Sequence, residues 1–319
     1  MPATPPIEGA VLGGRVHNSI TLQHVHPLPP RLVVVGGGYV GLEFASMFAH
    51  FGSSVTVLDR GTRPMRREDA DVAGVAAAAL EDVGVQFVTG ASVTQIEDGP
   101  TTATVTYTVD GAPRTIEGDA VLLALGRTPA TKDLNLQAAG IEVDEGGAVV
   151  VDEHLRTTAK GVYAVGDVKG GPQFTYISLD DYRIVADQLT GEGGRSTADR
   201  TVVPYTLFLT PPLARVGLSE TQAREAGRTV KVAVKKVSDI AAMPRPKIEN
   251  EPRGIVKVVV ETGTDLVLGA ALMHVDSHEV INLLAVAMRH GITAGQLRDA
   301  VYTHPSATEA LNEVLGSLT

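Results

Sequence analysis

The run RLVVVGGGYVG at 31–41 constrains this chain more than any other feature. A short, continuously apolar stretch of the kind buried in a parallel sheet breaks into three glycines, and helical spacing then continues to Phe51, where Gly52 ends it. In that context Gly36 permits a tight turn, Gly38 lets the backbone approach a pyrophosphate, and Gly41 lets the helix pack closely on the strand. The helix N-terminus supplies unpaired N–H donors for the anion. A second buried strand, Val55 to Leu58, ends in Asp59, close to the roughly 20-residue spacing at which an acid accepts hydrogen bonds from an adenosine ribose. A helix from Asp69 to Val83, stopped by Gly84, and a strand from Val85 to Thr89 complete a βαβαβ dinucleotide-binding half. The competing explanation is a glycine-rich turn with no ligand, and the agreement of motif, context and acid tells against it.

Asp59 favours NADH over NADPH, because a carboxylate repels a 2′-phosphate. Arg60, Arg63, Arg66 and Arg67 could supply a phosphate site instead, although such a charged stretch also suits a solvated loop.

Elsewhere the pattern changes. Residues 1–29 are rich in Pro and Gly without sustained periodicity and read as an extended lead-in. Between Ser92 and Leu125, three β-branched runs separated by Asp98-Gly99-Pro100 and Asp110-Gly111 predict an antiparallel meander ending at Gly126. Short strands follow at Val149–Asp152 and Gly161–Val165, then a helix near Tyr176–Leu189. The last third predicts strands around Val202, Val216, Val232 and Ile255–Val260, with helices at His278–His290 and Ser306–Leu315, a separate α+β domain. Apolar spacing at Val280, Leu283, Leu284 and Ala287 suggests a face larger than that small domain can bury, hence a homodimer.

A net charge of -10 argues against nucleic acid as a partner. The absence of any spanning-length apolar run or secretory signal predicts a cytoplasmic protein with no membrane partner. Cysteine is absent, which excludes disulfides, thiolate metal sites and a cysteine nucleophile from these residues. His274 and His278 lack further ligands at helical spacing, so no metal site is expected.

VVVGGGYVGLEF at 33–44, ALGRTPA at 124–130 and GVYAVGDV at 161–168, in that order, resemble the pyridine nucleotide-disulphide oxidoreductases, the flavoprotein family of dihydrolipoamide dehydrogenase and mercuric reductase. FTYISLDDYRIV at 174–185, TPPLARVGLSETQARE at 210–225, VDSHEVINLL at 275–284 and THPSATEALNEVL at 303–315 look most like its reactive-chlorine-resistance branch. The resemblance implies an α/β fold: a Rossmann-type NAD(P) domain at 30–127, a partial FAD domain at 128–198 and an α+β dimerisation domain at 199–319. It implies that Glu43 lies near the nicotinamide, that Gly126 contacts that cofactor and that Asp167 binds the ribityl chain of FAD. The candidate cofactor-binding set is therefore Gly36, Gly37, Gly38, Tyr39, Val40, Gly41, Leu42, Glu43, Asp59, Val93, Gly126 and Asp167. His304 and Glu309 match the family's acid–base pair: imidazole titrates near neutrality and a carboxylate fixes its tautomer. The bland alternative is a histidine before a helix, with Pro305 at the first helical position.

The family's first glycine-rich turn and its Cys-x4-Cys helix have no counterpart in these residues, and PATPPIEGA at 2–10 looks like the segment that closes the first half of the flavin domain. The FAD site is therefore expected to be incomplete, with a separate N-terminal flavin-domain fragment as a partner. Two functions are carried: an NAD(P)H-dependent flavin reductase acting on a disulfide or metal ion once so completed, and an inactive nucleotide-binding, dimerising module. A thiol-free ferredoxin-reductase-like protein is a third, against which the His-Pro-x3-Glu pattern tells.

Overall fold

Strands that are apolar along their whole length need cover on both faces, and the first part of the chain provides it. Its elements are β1 (Val16–His17), β2 (Arg31–Val35), α1 (Tyr39–Phe51), β3 (Ser54–Asp59), α2 (Ala70–Asp82), β4 (Val85–Thr89), β5 (Ser92–Asp98), β6 (Ala103–Val109), β7 (Ala112–Gly118) and β8 (Ala120–Leu123). Parallel pairing orders the first sheet β1-β8-β2-β3-β4. Gly52, at φ 103°, takes the left-handed cap that ends α1. The expected βαβαβ unit and the antiparallel meander β5-β6-β7 both form. The stretch to Leu125 holds one thing more, since β8 leaves the meander and returns to the parallel sheet between β1 and β2.

This computed structural model describes residues 1–318. It divides into two units, Met1–Ala3 with Gly126–Thr201, and Thr4–Leu125 with the chain from Val202 onward.

The lead-in differs from the loose segment expected. Ala10, Val16 and Leu22 are buried, and β1 adds an edge strand to β8. Arg15 donates to the carbonyls of Gly99 (3.3 Å), Pro100 (3.1 Å) and Thr101 (2.9 Å), which fastens the segment to the β5–β6 turn. A two-residue strand has no period to read, so composition alone mistook it.

In the smaller unit α3 (Thr175–Thr190) forms as expected and buries Ile177, Asp181 and Ile184. The strands expected at Val149–Asp152 and Gly161–Val165 reduce to single bridges, Val143 with Val149 and Arg156 with Tyr163. Propensity without a paired backbone makes no ladder, and Val150, Val162 and Val165 stay exposed.

The final part contains β9 (Tyr205–Leu207), β10 (Leu213–Gly217), α4 (Glu220–Glu225), β11 (Val230–Lys236), α5 (Arg245–Ile248), β12 (Ile255–Glu261), β13 (Val267–Met273), α6 (Ser277–Arg289), α7 (Ala294–Arg298) and α8 (Ala310–Leu315). Its antiparallel sheet runs β11-β12-β13-β10-β9. The strand expected at Val202 starts at Tyr205 instead. Helix α8 begins at Ala310, so Pro305 lies outside it, in the turn that Glu309 closes by accepting from Ser306 N at 2.8 Å. The face read on α6 is also corrected: Val280, Leu284 and Ala287 are buried in the domain's own core, whereas Leu283 and Val286 face outward. Apolar spacing marked the inward stripe, which the sheet covers.

Within the larger unit the two sheets share one core, in which Leu42, Val72 and Ala76 pack with Leu207, Leu213, Ile255 and Met273. Beside it, the buried Lys257 Nζ meets Asp71 Oδ2 (2.9 Å), Glu220 Oε2 (2.9 Å) and Asp69 Oδ2 (3.1 Å). Asp69 precedes α2 without capping it, and its carboxylate accepts instead from Glu220 N (2.9 Å), Thr221 N (3.2 Å) and Thr221 Oγ1 (2.7 Å) at the start of α4. Burial alone would raise its carboxyl, but the Thr221, Glu220 and Lys257 donors prevail and hold it at about 2, against 3.8 ordinarily.

A carboxyl depressed on folding contributes stability above its unfolded value and loses it as pH falls through the folded one. The Asp69 contribution should thus be complete above about pH 4 and lost between there and about pH 2. Lys257→Ala, which leaves three carboxylates facing one another, should cost about 3 kcal/mol in urea unfolding. A change below about 0.5 kcal/mol, the range of ordinary surface sites, would contradict that role.

Candidate functional site

Strand β2 delivers the chain to the glycine turn under tight constraint. Gly36 donates to Leu58 O at 2.9 Å and adopts φ 112°, and a Cβ there would lie 2.6 Å from Ala124 O. A Cβ on Gly41 would lie 2.1 Å from Gly36 O, and one on Gly37 would lie 2.2 Å from Asp59 Oδ2. At Gly38 it would meet nothing within 4 Å. Three glycines are thus held by close packing, while the fourth borders open space.

Tyr39 and Val40 open α1, and the N–H groups of that first turn have no acceptors within the helix. Leu42 is buried under the sheet, and Glu43 accepts from Phe208 N at 2.8 Å. Burial pushes the Glu43 carboxyl up, tempered by that hydrogen bond.

Asp59 ends β3 nearly buried. Its Oδ1 accepts from Gly61 N at 2.6 Å and its carbonyl from Ala91 N at 2.9 Å, so β5, with the half-buried Val93, starts beside it. Oδ2 faces Gly37. Of the four arginines that follow, Arg63 is committed to its own loop, donating to Met65 O (3.1 Å) and Glu68 O (2.8 Å), whereas Arg60, Arg66 and Arg67 are exposed.

The structure therefore gathers Gly36 to Glu43 and Asp59 around one turn, while Val93, on β5, packs against the core that includes Val35 and Leu58. Gly126 and Asp167 belong to the smaller unit. Gly126, at φ 122°, borders open space, and its carbonyl accepts from Ala3 N at 3.0 Å. Asp167 Oδ2 pairs with Arg127 Nη2 at 2.7 Å, both side chains more than a third exposed. The short helical turn Gly166–Lys169 that carries Asp167 is held from beneath by Asp181, which accepts from Gly166 N at 2.7 Å and faces Lys169 and Arg200.

His304 Nδ1 lies 2.9 Å from Glu309 Oε1, with the imidazole 72% exposed and open to a reactant. Ser306 N and His304 hold the Glu309 carboxyl below its ordinary value. His274 is different in kind: burial drives it down to about 4, and its Nδ1 is 2.5 Å from Val275 O. Among the described residues, no three His, Asp or Glu side chains gather in a way that would hold a metal ion.

Sequence reasoning missed Arg127, Glu68, Tyr205 and Arg215. Arg127, inside the ALGRTPA run, and Arg215, inside TPPLARVGLSETQARE, lie in runs that carry the resemblance.

These elements define a protein with a Rossmann-type nucleotide domain and an appended antiparallel α+β domain. The chain belongs to the pyridine nucleotide-disulphide oxidoreductase family, a family of flavoprotein oxidoreductases whose pattern matches residues 1–181 and whose dimerisation domain matches 203–315. It is 47% identical over 97% of its length to the probable pyridine nucleotide-disulfide oxidoreductase RclA of Escherichia coli (strain K12), covering 69% of that protein. A solved Cu(II) complex of the E. coli flavoprotein disulfide reductase RclA superposes with a TM-score of 0.93 at 47% identity, over 99% of this chain and 70% of that one. Mercuric reductase of Bacillus cereus is 35% identical over 92% of the chain, which spans 46% of that relative. Dihydrolipoyl dehydrogenase of Bacillus subtilis (strain 168) is 32% identical over 94% of the chain, which spans 63% of it. Among the described residues no helix is long and apolar enough to cross a membrane.

Proposed function

We propose that this chain is the nucleotide-binding and dimerising part of an NADH-dependent flavin reductase that acts on a disulfide or a metal ion. The observation that carries the reading is the open space at Gly38, directly before the first turn of α1 and next in the chain to Gly37, which faces Asp59. When bound, the nicotinamide would supply a hydride. First-turn N–H groups of α1 donate to the pyrophosphate. Asp59, with Oδ1 already satisfied by Gly61, keeps Oδ2 for the adenosine ribose and repels a 2′-phosphate. Glu43, on α1 of the same unit, would face the nicotinamide.

His304 would hold and release the proton of a thiol–disulfide exchange whose thiol the substrate or a further segment supplies, and Glu309 would fix its tautomer. A metal ion as final acceptor is supported by the mercuric reductase relatives and by the Cu(II) complex of the E. coli protein.

The flavin side is less well furnished. Among the described residues it rests on Asp167, whose carboxylate Arg127 engages, so a ribityl hydroxyl would have to compete with that ion pair. We assign no step to that group. The exposed Val150, Val162 and Val165 fit a flavin-domain segment that would cover them. The outward Leu283 and Val286 of α6 fit a second copy of this chain.

Calorimetry tests the nucleotide assignment. NADH should bind more tightly than NADPH, and Asp59→Ala should weaken NADH by about tenfold through loss of a charged acceptor while leaving NADPH unharmed. No binding of either at millimolar nucleotide would sink the site, and a clear NADPH preference would overturn the role of Asp59. Sedimentation tests the partners: the chain alone should be dimeric, Val286→Asp should shift it toward monomer, and added flavin-domain segment should bring FAD into the complex. A well-folded monomer that ignores the segment would refute both.

A further inference from the structure

Glu68 has no part in the contacts proposed for the nucleotide, yet it is the most elaborately held carboxylate near the glycine turn. Its side chain is 1% exposed. Oε1 accepts from the hydroxyls of Tyr39 at 2.6 Å and Tyr205 at 2.7 Å, and those hydroxyls are 3.1 Å apart. Oε2 accepts from Arg215 Nη1 at 3.0 Å, and the same nitrogen donates to Arg67 O at 2.8 Å. The Tyr39 and Tyr205 rings stack with centroids 5.6 Å apart. One carboxylate thereby joins the first residue of α1 to strands β9 and β10 of the antiparallel sheet. Its own segment is braced as well: Glu68 N donates to Met65 O at 2.9 Å, and Met65 N reaches Gly37 O at 3.5 Å.

Packing alone does not call for this arrangement. Apolar side chains would fill the same volume without removing a carboxylate, a guanidinium and two hydroxyls from water. What the network adds is direction. The first turn of a helix frays because its N–H groups lack partners, and a ligand that uses them must bear the cost of ordering them. A charge-assisted hydrogen bond to the side chain of the first helical residue orders that turn beforehand.

We propose that Glu68 is a positioning residue for nucleotide binding: through the Tyr39 hydroxyl it fixes the first turn of α1, and through Tyr205 and Arg215 it makes that fixation depend on the C-terminal sheet. The proposal rests on reading the glycine turn as the nucleotide site.

Calorimetry with NADH on the full chain separates the two ideas. Glu68→Gln should raise Kd about tenfold and Tyr205→Phe about threefold, with stoichiometry as in the unaltered chain. Because the route runs through Tyr39, Glu68→Gln should add little in a Tyr39→Phe background. A merely structural role would instead lower Tm and stoichiometry while the folded fraction kept its Kd. Should Glu68→Gln fail to fold, Tyr205→Phe carries the test, since it deletes one hydroxyl and leaves the ion pair. An unchanged Kd in these variants, or strictly additive effects of Glu68→Gln and Tyr39→Phe, overturns the proposal. If the unaltered chain binds no NADH, the nucleotide site itself is overturned.

Discussion

The larger unit depends on two buried charges of the antiparallel sheet, Arg215 and Lys257, each facing carboxylates from the segment that leads into α2. Arg215 meets Glu68 and Lys257 meets Asp69, so neighbouring acids in the chain are taken up by β10 and β12, the two strands that flank β13. Buried pairs of this kind contribute little net stability relative to apolar packing, but breaking one is costly because a charge is left without a partner. They act as registration: the core shared by the two sheets could tolerate a slip between apolar surfaces, whereas the charges admit one alignment.

That alignment brings the glycine turn and an α+β domain distant in sequence into one unit. The glycines fix where the backbone can go, and close contacts at Gly36, Gly37 and Gly41 leave little freedom in the turn. Tyr205 of β9 then meets the entry to α1 directly, and Arg215 of β10 reaches it through Glu68. The smaller unit follows the same logic locally, with the fully buried Asp181 gripping Gly166 so that Asp167 is presented on a held turn.

Much of this was legible in the sequence where the signal was local. Strand, glycine turn, helix and acid from Arg31 to Asp59 announce themselves because each residue type answers a constraint set within a few positions. The His304–Glu309 contact was legible for the same reason. The strands expected near Val149 and Gly161 were not, since a ladder needs a partner that a short apolar run cannot specify. Nor was β1, whose two residues become a strand only because β8 lies alongside. Glu68 reads as one more acid in a charged loop, because its partners Tyr205 and Arg215 lie 137 and 147 positions away.

The account is tested most directly by hydrogen exchange on the chain with and without NADH, followed by peptide. It predicts ligand-induced protection in 36–43 and 59–61, with weaker protection spreading to 63–68 and 205–215 through the Glu68 network. Protection confined to 126–201, or none at the glycine turn under saturating NADH, would contradict it.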